Sequence, residues 1–534
     1  MSRYIEGENR NQPSLTPICF DDMIKEDNPV RAIEAIVESM DILSLGFNYS
    51  QTKETGRKPY SPVDMFKLFA YSYYNGIRSS RKIERECHRN IEVMWLINEL
   101  KPNFKTISNF RKDNKKAIKN AFRRLTMFCD ELNLISKEIV AVDGSKFRAC
   151  NGRMKYHSKG KIAEKLMHYR EAAEKYMNLL EQSDCEEDEN PPSQYTRDEL
   201  KSKLEKIQKR VSELESISER VESEGTLYLT DPDARLMRTH NGGGDISHNV
   251  QTATEAKNHF VVAVDVTSQA VDYAQLHNIS SKAKQELQVN ELIVIADKGY
   301  YSGEQFMKCK EDNIKPIAPQ PEKGGNQERG YTKGYFRYDK ENNCYHCPQG
   351  QIITPPVQKI ANRKGNLYYN RTVCPDCEMK NKCSPDTPYR TIVRSEYDDY
   401  KDEVDSFTKA NAKIFYKRKN QCEHPFGTVK RALGFTYFLT RGTENVRTES
   451  LLHFLAYNFK RLINIMSEPK IEKSAMANTV VFHTFFPAFF QISSFFGAFC
   501  KIKLIKIKRV LCFYTSSSIF CATQVELLLN ILKG

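Results

Sequence analysis

The sequence is poor in cysteine for its length and begins without an apolar leader. Fifteen cysteines in 534 residues are too few for a disulfide scaffold. The opening stretch, MSRYIEGENRNQ, lacks the apolar core of a secretory signal peptide. These absences predict a protein of a reducing cytoplasm, and the length predicts about two to four domains.

The chain is also short of acidic residues. It has 81 Lys and Arg against 68 Asp and Glu, which gives a net charge of +13 and a pI near 8.9. A hydrophobic share of 40% with 28% charged residues indicates a folded, globular protein rather than a disordered one. An excess of positive charge on a chain of this size is compatible with a polyanionic partner, although charge alone does not identify one.

The first 135 residues have the pattern of a helical domain. Asn28 and Ser61 each place a capping side chain before a proline at the first helical position. Thr106 is expected to cap a longer helix whose apolar face continues to residue 132. Residues 101–124 hold nine basic side chains and one acidic. A helix-turn-helix-like region that contacts DNA phosphates accounts for this charge, and a solvated helix face is the alternative. The candidate phosphate-binding residues are Arg111, Lys112, Lys115 and Lys116.

Three short apolar runs that each end in an acid predict buried strands, at residues 137–143, 259–265 and 291–297. Residues 247–254 are expected to pair with the second run across a hairpin. A helix from Asp272 to Leu287 is expected to separate the last two strands. Strands followed by a helix that alternates with a strand indicate an α/β protein with a mixed sheet.

A charged insertion, residues 155–225, separates the first two predicted strands. Apolar residues between positions 200 and 221 recur at nearly heptad spacing, and residues 162–180 form a second helical run. The pattern predicts an antiparallel helical hairpin that acts as a spacer or a self-association arm. The insertion carries a net charge of −4, so the remainder of the chain carries +17.

Three carboxylates are the candidate reactive groups. Asp143 and Asp297 each follow a predicted buried strand, where open α/β sheets place their sites, although strand-end aspartates are also common in turns. Glu423 in QCEHPFG adds a third acid on a neighbouring element. Three such acids can hold two Mg²⁺ (or Mn²⁺) ions about 4 Å apart for phosphodiester chemistry. Asp265 has the same strand-end context and is a rival ligand.

Five motifs together resemble a known family. They are AVDGSKF (141–147), TDPDARLM (230–237), NVQTATEAKNH (249–259), IADKGYYSGE (295–304) and EHPFGTVKRALG (423–434). With the helical front, they resemble bacterial insertion-sequence transposases of the DDE class over about residues 1–466. The resemblance implies a ribonuclease-H-like fold with Asp143, Asp297 and Glu423 as the catalytic, metal-binding triad. It also implies that Asp265 is not a ligand, and that the protein is bacterial and nucleoid-associated.

A Tyr-Arg-Glu-Lys signature of related transposases has its counterpart in Tyr416, Lys419, Glu423 and Lys430. Lys419 replaces the family arginine and lacks its planar fork. Glu423 and Lys430 lie seven residues apart, about two helical turns, and are expected to share a face. The signature suggests that Lys430 holds a DNA phosphate, and the alternative is a solvent-exposed lysine.

Two further motifs lie in the strand-rich region. Asp231 and Asp233 flank a proline in a tight turn, where capping is their ordinary role. The family resemblance instead implies a place near bound DNA, with Arg235 as a phosphate partner. Residues 241–245 (NGGGD) lack the Gly-Lys-Ser/Thr ending of a nucleotide-binding loop, so no nucleotide cofactor is expected.

Two C-x₂-C pairs, Cys344 with Cys347 and Cys374 with Cys377, lie between the second aspartate and the glutamate. In a cytoplasmic protein such pairs indicate a tetrahedral structural Zn²⁺ site. The family resemblance favours Cys347, Cys374, Cys377 and Cys383 as the ligands, which leaves Cys344 spare. The alternative is a set of reduced, packed thiols.

The last segment, residues 467–534, is apolar and rich in phenylalanine. Residues 479–500 carry no Asp, Glu, Lys or Arg and are long enough to span a bilayer. Their aromatic residues recur at helical spacing with polar residues opposite, which favours packing against protein. A membrane partner is therefore not expected, and a membrane-tethered protein is the alternative.

The predicted function is that of a DDE transposase. By the resemblance, it binds the terminal inverted repeats of its element and cleaves and transfers DNA strands with Mg²⁺, as a homodimer in a synaptic complex. The alternatives are a ribonuclease-H-like nuclease without strand transfer and an inactive or co-opted DNA-binding copy. The predicted segments are a DNA-binding domain (1–135), the first catalytic strand (136–154), the helical insertion (155–225), the catalytic core (226–300), the cysteine-containing insertion (301–410), the glutamate helix and end of the core (411–466) and the tail (467–534).

Overall fold

The structure is a computed structural model that describes residues 19–49, 58–150, 156–185, 197–238, 243–321, 331, 333–355 and 365–467. The phenylalanine-rich segment falls almost entirely outside these residues. Two units are distinguished, residues 1–31 with 463–534 and residues 32–462. Among the described residues, none of the helices combines the length and the apolar character that crossing a bilayer requires.

The N-terminal part is helical, as predicted. Its helices are α1 (Pro29–Ser39), α2 (Pro62–Tyr74), α3 (Ser80–Arg89), α4 (Ile91–Leu96), α5 (Phe104–Asp113) and α6 (Lys115–Glu131). Both predicted caps are present: the Asn28 side chain accepts from the Val30 amide at 2.9 Å, and the Ser61 hydroxyl accepts from the Val63 amide at 3.2 Å. Each satisfies an amide that the first helical turn leaves unpaired.

The single long helix expected from Thr106 is wrong, because the segment forms two helices. Asn103 is the N-cap of α5, and its side chain accepts from the Thr106 amide at 2.8 Å. The break falls at Asn114, which is buried. Its side chain accepts from the Asn48 amide at 2.7 Å and donates to the Phe110 carbonyl at 2.9 Å. These bonds tie the junction between the helices to a distant loop.

A mixed six-stranded sheet lies in the unit of residues 32–462. Its strands are β1 (Ile139–Arg148), β2 (Arg235–Arg238), β3 (Gly244–Glu255), β4 (Val261–Thr267), β5 (Leu292–Ile295) and β6 (Ile314–Ile317). β4, β3 and β1 are antiparallel neighbours, whereas β1, β5 and β6 run parallel. β2 pairs with the start of β3. The predicted buried strands and the predicted hairpin are confirmed.

The expected end of the first strand at Asp143 is wrong. β1 continues to Arg148 because β3 pairs with it along its whole length, with Asp143 opposite Thr252 and Arg148 opposite Ser247. The helix expected from Asp272 begins later, at Leu276, as α9 (Leu276–Leu287). The Asp272 side chain instead accepts hydrogen bonds from two residues of β3.

Helices cover both faces of this sheet. They are α9, α10 (Gly303–Glu311), α12 (Asp398–Ala410), α13 (Ala412–Gly427) and α14 (Thr443–Ser467). On one face, Ala141, Ile295 and Ile317 form a buried cluster against side chains of α12 and α13. On the other face, α9 packs on β3, β4 and β1.

The predicted helical hairpin is confirmed as α7 (Lys159–Cys185) and α8 (Arg197–Glu224). The helices are antiparallel, since Ile162 near the start of α7 packs with Val221 near the end of α8. Arg170 and Glu215 form an ion pair across the hairpin at 2.8 Å.

The cysteine-containing insertion consists of small sheets. β7 (Arg337–Asp339), β8 (Cys344–His346) and β9 (Ile352–Ile353) form one, and β10 (Asn366–Tyr369) and β11 (Thr391–Arg394) form another. A short helix, α11 (Lys380–Cys383), lies between the last two strands in sequence. Buried aromatic and aliphatic residues join the sheets: Phe336, Tyr345, Ile353, Tyr368 and Ile392.

Candidate active site

Two of the candidate acids lie side by side where β1 and β5 run parallel. The register places Ala141 opposite Ile295, and Asp143 and Asp297 each come two residues later. Asp297 keeps an extended backbone, with φ −83° and ψ 178°. Since side chains alternate along a strand and neighbouring strands are about 4.8 Å apart, both carboxylates belong to the face of Ala141 and Ile295. The fold therefore brings these two acids together.

Asp297 is also held by a local hydrogen bond. Its Oδ1 accepts from the Gly299 amide at 2.8 Å and so caps the short 3₁₀ turn Lys298–Tyr300. The strand β5 ends at Ile295, and this turn begins directly after the acid.

The third acid lies on a helix that covers the same face. Ile414 and Phe415 of α13 pack on the cluster that contains Ala141. Glu423, further along α13, is exposed. Tyr416 is 79% exposed, whereas the side chain of Lys419 lies outside the described residues.

Lys430 is held against the strand that carries Asp143. Its Nζ donates to the Ser145 hydroxyl at 2.7 Å and to the next backbone carbonyl at 2.8 Å, and lies 4.4 Å from the centre of the Phe147 ring. Burial lowers the pKa of Lys430 to about 8, although the negative charge of Asp143 acts to raise it. The alternative of a solvent-exposed lysine is therefore wrong. Lys430 belongs to a π-helical turn, Thr428–Ala432. The seven residues from Glu423 to Lys430 therefore do not form two regular α-helical turns.

The rival acid, Asp265, lies on the opposite face of the sheet. It pairs with Gln251, which pairs with Gly144, and residues in register share a face. Asp265 is buried and bound by Lys282 at 2.5 Å and Arg447 at 2.9 Å. Burial raises the pKa of Asp265, but these cations more than offset it, so the pKa lies below its ordinary value. This buried carboxylate is engaged by two partly exposed cations, on the face of the sheet opposite to that of Asp143.

A polar network behind Asp143 was not identified from the sequence. The Gln251 amide donates to Asp272 at 2.6 Å and accepts from the Tyr300 hydroxyl at 2.5 Å. A Cβ at Gly144 would lie 2.3 Å from that amide nitrogen and 2.6 Å from the Asp272 carboxylate. Gly144 thus permits a network that links β3 to the turn after Asp297. The available signal was a glutamine inside an otherwise buried strand.

The predicted phosphate-binding residues of the helical front divide into two groups. Arg111 points into the protein, where its guanidinium donates to the Tyr73 hydroxyl at 3.0 Å. Lys112 and Lys116 are exposed. Lys115 lies 3.5 Å from Glu444. A groove between α6, β4, α9 and α14 brings together five cations, Lys115, Lys116, Lys119, Lys282 and Arg447.

The turn around Asp231 has a structural role. The buried Asp231 accepts from His248 at 2.9 Å and from the Gly442 amide at 3.1 Å. Burial raises the pKa of Asp231, but these hydrogen bonds bring it below its ordinary value. Asp233 accepts from the Thr443 amide at 2.7 Å, at the start of α14. Arg235 donates to the carbonyls of residues 232 and 234. Both acids therefore make turn and helix-start contacts of the kind that is ordinary for such residues.

The four cysteines favoured by the resemblance line one pocket. They are Cys347, Cys374, Cys377 and Cys383. Burial raises the pKa of Cys383, and the three other thiols raise it further, whereas Arg390 opposes them. The Cys347 sulfur also accepts from the Gln351 amide at 3.3 Å.

Two stretches of the chain match family models. Residues 18–113 match a transposase domain (DUF772), and residues 346–463 match a transposase DDE domain. The chain carries the domains of a DNA transposase. The second match includes Glu423, Lys430 and the four cysteines of the pocket, whereas Asp143 and Asp297 lie outside both matches.

Other comparisons add little to this assignment. No curated protein matches the chain. A solved structure that aligns with this transposase is described as a piggyBac transposase synaptic complex with hairpin DNA. The alignment covers 84% of this chain and 82% of that one, at 8% identity and a TM-score of 0.23. Such a low TM-score supports no conclusion about fold or function.

Proposed function

We propose that this transposase cleaves and transfers DNA strands with Asp143, Asp297 and Glu423 as its catalytic triad. The β1–β5 register carries the proposal, because Asp143 and Asp297 each come two residues after Ala141 and Ile295, which are paired in these parallel strands. The helix that bears Glu423 covers that face. Asp265, the competing acid, lies on the other face and is already neutralised by cations.

The strand order supports a ribonuclease-H-like core. Three antiparallel strands, β4, β3 and β1, are followed across the sheet by two parallel ones, β5 and β6. In such open sheets, sites form where parallel strands end. Asp297 lies two residues beyond one of these ends.

The donor set of the triad fits divalent metal ions. DDE transposases generally use such ions, and three carboxylates offer the hard oxygen ligands that Mg²⁺ or Mn²⁺ prefers. Among the described residues, the oxygens of these acids do not form a group that lies entirely within 4.8 Å. Two bound Mg²⁺ ions would activate the attacking oxygen and stabilise the leaving oxygen of a phosphodiester.

Lys430 is proposed to position the DNA phosphate beside the triad. Two hydrogen bonds, to the Ser145 hydroxyl and the Lys146 carbonyl, already fix its amine against β1 just beyond Asp143. A cation held in place needs little reorganisation when a phosphate arrives. The exposed lysines of the helical front, Lys112 and Lys116, are proposed to bind DNA backbone further away.

The proposed substrates are the ends of the transposase's own element and a target DNA. Because two ends must be brought together for transfer, two copies of the chain are proposed to act in one synaptic complex. Cys347, Cys374, Cys377 and Cys383 are proposed to hold a structural Zn²⁺. Their common pocket and their mutual effect on the pKa of Cys383 support this set. No three of these sulfur atoms lie within 4.8 Å of one another in the described part of the chain.

A cleavage and joining assay tests the proposal. Full-length protein is incubated with Mg²⁺, a labelled DNA carrying the flanks of its own gene, and a target plasmid. Asp143→Asn and Glu423→Gln should each lower cleavage by at least about 1000-fold while DNA binding persists, because each removes a charge that the metals require. Joined products would distinguish a transposase from a nuclease that only cuts.

Asp265→Asn is the matched control, since it removes a strand carboxylate from the opposite face. Its melting temperature identifies any loss of folded protein, so its cleavage rate can be corrected for that loss. The triad assignment fails if Asp143→Asn cleaves normally. It also fails if folded Asp265→Asn is as inactive as the triad variants.

A further inference from the structure

The β7–β8 hairpin presents three different metal-binding side chains on one face. Asp339 pairs directly with Cys344, and His346 follows two residues later on the same strand. Residues in register share a face, as do residues two apart, so all three side chains project to one side. The other face of the hairpin carries Tyr345, which is buried in the core of the insertion.

The three ligand atoms converge. They all lie within 4.8 Å of one another, and no other group of three or more Asp, Glu, His or Cys among the described residues meets that criterion. His346 Nε2 lies 4.0 Å from the Cys344 sulfur and 3.5 Å from the Asp339 carboxylate. In a tetrahedral zinc site, bond lengths of about 2.3 Å to sulfur, 2.1 Å to nitrogen and 2.0 Å to oxygen give sulfur–nitrogen and nitrogen–oxygen separations of about 3.6 and 3.3 Å. The two separations that involve His346 would have to contract by about half an ångström or less to reach that geometry.

The backbone around these atoms is already fixed. The Asp339 carboxylate accepts from the amides of Glu341 and Asn342 at 3.0 and 3.2 Å, which closes the turn of the hairpin. These bonds involve Oδ1, whereas Oδ2, the atom near His346, accepts from the Asn342 side chain at 2.9 Å. Cys344 is buried, and the other two residues are partly exposed. An ion could therefore reach the site without opening the core.

We propose that Asp339, Cys344 and His346 form a second zinc site, separate from the four-cysteine pocket. One sulfur, one nitrogen and one oxygen donor suit Zn²⁺, and three protein ligands leave the fourth position for water or another ligand. None of the three is among the described residues that line the pocket of the four cysteines. The site uses Cys344, which the four-cysteine assignment leaves without a role.

Zinc content per chain tests the proposal. Full-length protein is purified, loaded with Zn²⁺, freed of excess metal, and analysed for zinc by mass spectrometry. The wild type should hold one equivalent more than Cys344→Ser, His346→Asn or Asp339→Asn. Loss of a direct ligand should weaken zinc binding by more than the roughly 10–100-fold that loss of an outer-shell partner costs. Lys340→Ala, in the turn between the strands, is the matched control and should keep the wild-type content.

Cobalt substitution checks the identity of the ligands. Co²⁺ bound to this site should add a thiolate charge-transfer contribution to that of the four-cysteine pocket, and this contribution should be lost in Cys344→Ser and kept in Cys374→Ser. The proposal is overturned if Cys344→Ser and His346→Asn both keep the wild-type zinc content. It is also overturned if Cys374→Ser abolishes binding at both sites, since this would indicate one joint cluster. Circular dichroism of each variant verifies that the insertion remains folded, and the partly exposed His346 and Asp339 allow the test even if Cys344→Ser unfolds.

Discussion

Lys430→Met is expected to lower activity while stability at pH 7 stays equal or rises. The substitution keeps an unbranched apolar side chain that is one atom shorter, and it removes the charge. Burial lowers the pKa of Lys430 to about 8 from an ordinary 10.5. At 1.36 kcal/mol per unit, this corresponds to about 3 kcal/mol, or about 1–3 kcal/mol once solvent screening around a partly buried group is allowed for. The charged amine therefore destabilises the folded protein that has no DNA or metal bound.

The sign of the pH dependence follows from proton binding. Below pH 8 both the folded and the unfolded chain carry the proton, and the buried charge destabilises the folded state to its full extent. Between pH 8 and 10.5 the folded state loses the proton while the unfolded state keeps it. Stability of the wild type should then rise with pH relative to Lys430→Met, because the unfolded state binds more protons.

Urea unfolding at pH 7 and pH 10.5, without DNA or divalent ions, measures this difference. Lys430→Met should be equal to or more stable than the wild type at pH 7, and its advantage should shrink by about 1–3 kcal/mol at pH 10.5. Lys105→Met is the control, because Lys105 is exposed in α5 and its replacement should have the same effect at both pH values. In the DNA assay, Lys430→Met should cleave about 10–150-fold more slowly, since a charged hydrogen bond to phosphate contributes about 1.5–3 kcal/mol. The reasoning would be refuted if Lys430→Met were clearly less stable than the wild type at pH 7. It would also be refuted if the difference in free energy of unfolding between the two proteins were the same at pH 7 and pH 10.5.

Three further predictions concern other parts of the molecule. Gly144→Ala should displace Gln251, since the new Cβ would lie 2.3 Å from its amide nitrogen. Cleavage should then fall at least about 10-fold while DNA binding is retained. Unchanged cleavage would argue against a role for this network. Lys112→Ala should weaken DNA binding and reduce the slope of log affinity against log salt concentration by about one. Arg111→Ala should mainly lower the melting temperature, because its guanidinium forms hydrogen bonds within the protein. Equal salt slopes for the two variants would contradict this distinction. Cys374→Ser should lower zinc content by one equivalent and increase proteolysis of residues 333–410. Proteolysis of the α7–α8 hairpin should not change. An equal change in both segments would count against a structural zinc ion in the insertion.

The helical segments and buried strands were largely predictable because their patterns are local. Capping side chains before prolines, an apolar stripe and short apolar runs depend on neighbours a few residues apart. The break at Asn114 was not predictable in this way, since it depends on a hydrogen bond to Asn48, 66 residues away. The same applies to β1, whose extension beyond Asp143 depends on the length of β3.

By itself, the sequence determined the kinds of chemistry available: three carboxylates suited to divalent ions, a lysine seven residues after the last of them, and cysteines suited to zinc. Only the tertiary structure decided which of these groups meet. The register of β1 with β5 placed Asp143 beside Asp297, and the register of β3 with β4 placed Asp265 on the other face. Packing placed Lys430 against β1 and directed Arg111 into the protein. The reason is physical: composition and spacing define what each side chain can do, whereas strand register and burial, which depend on distant parts of the chain, define its neighbours and its charge state.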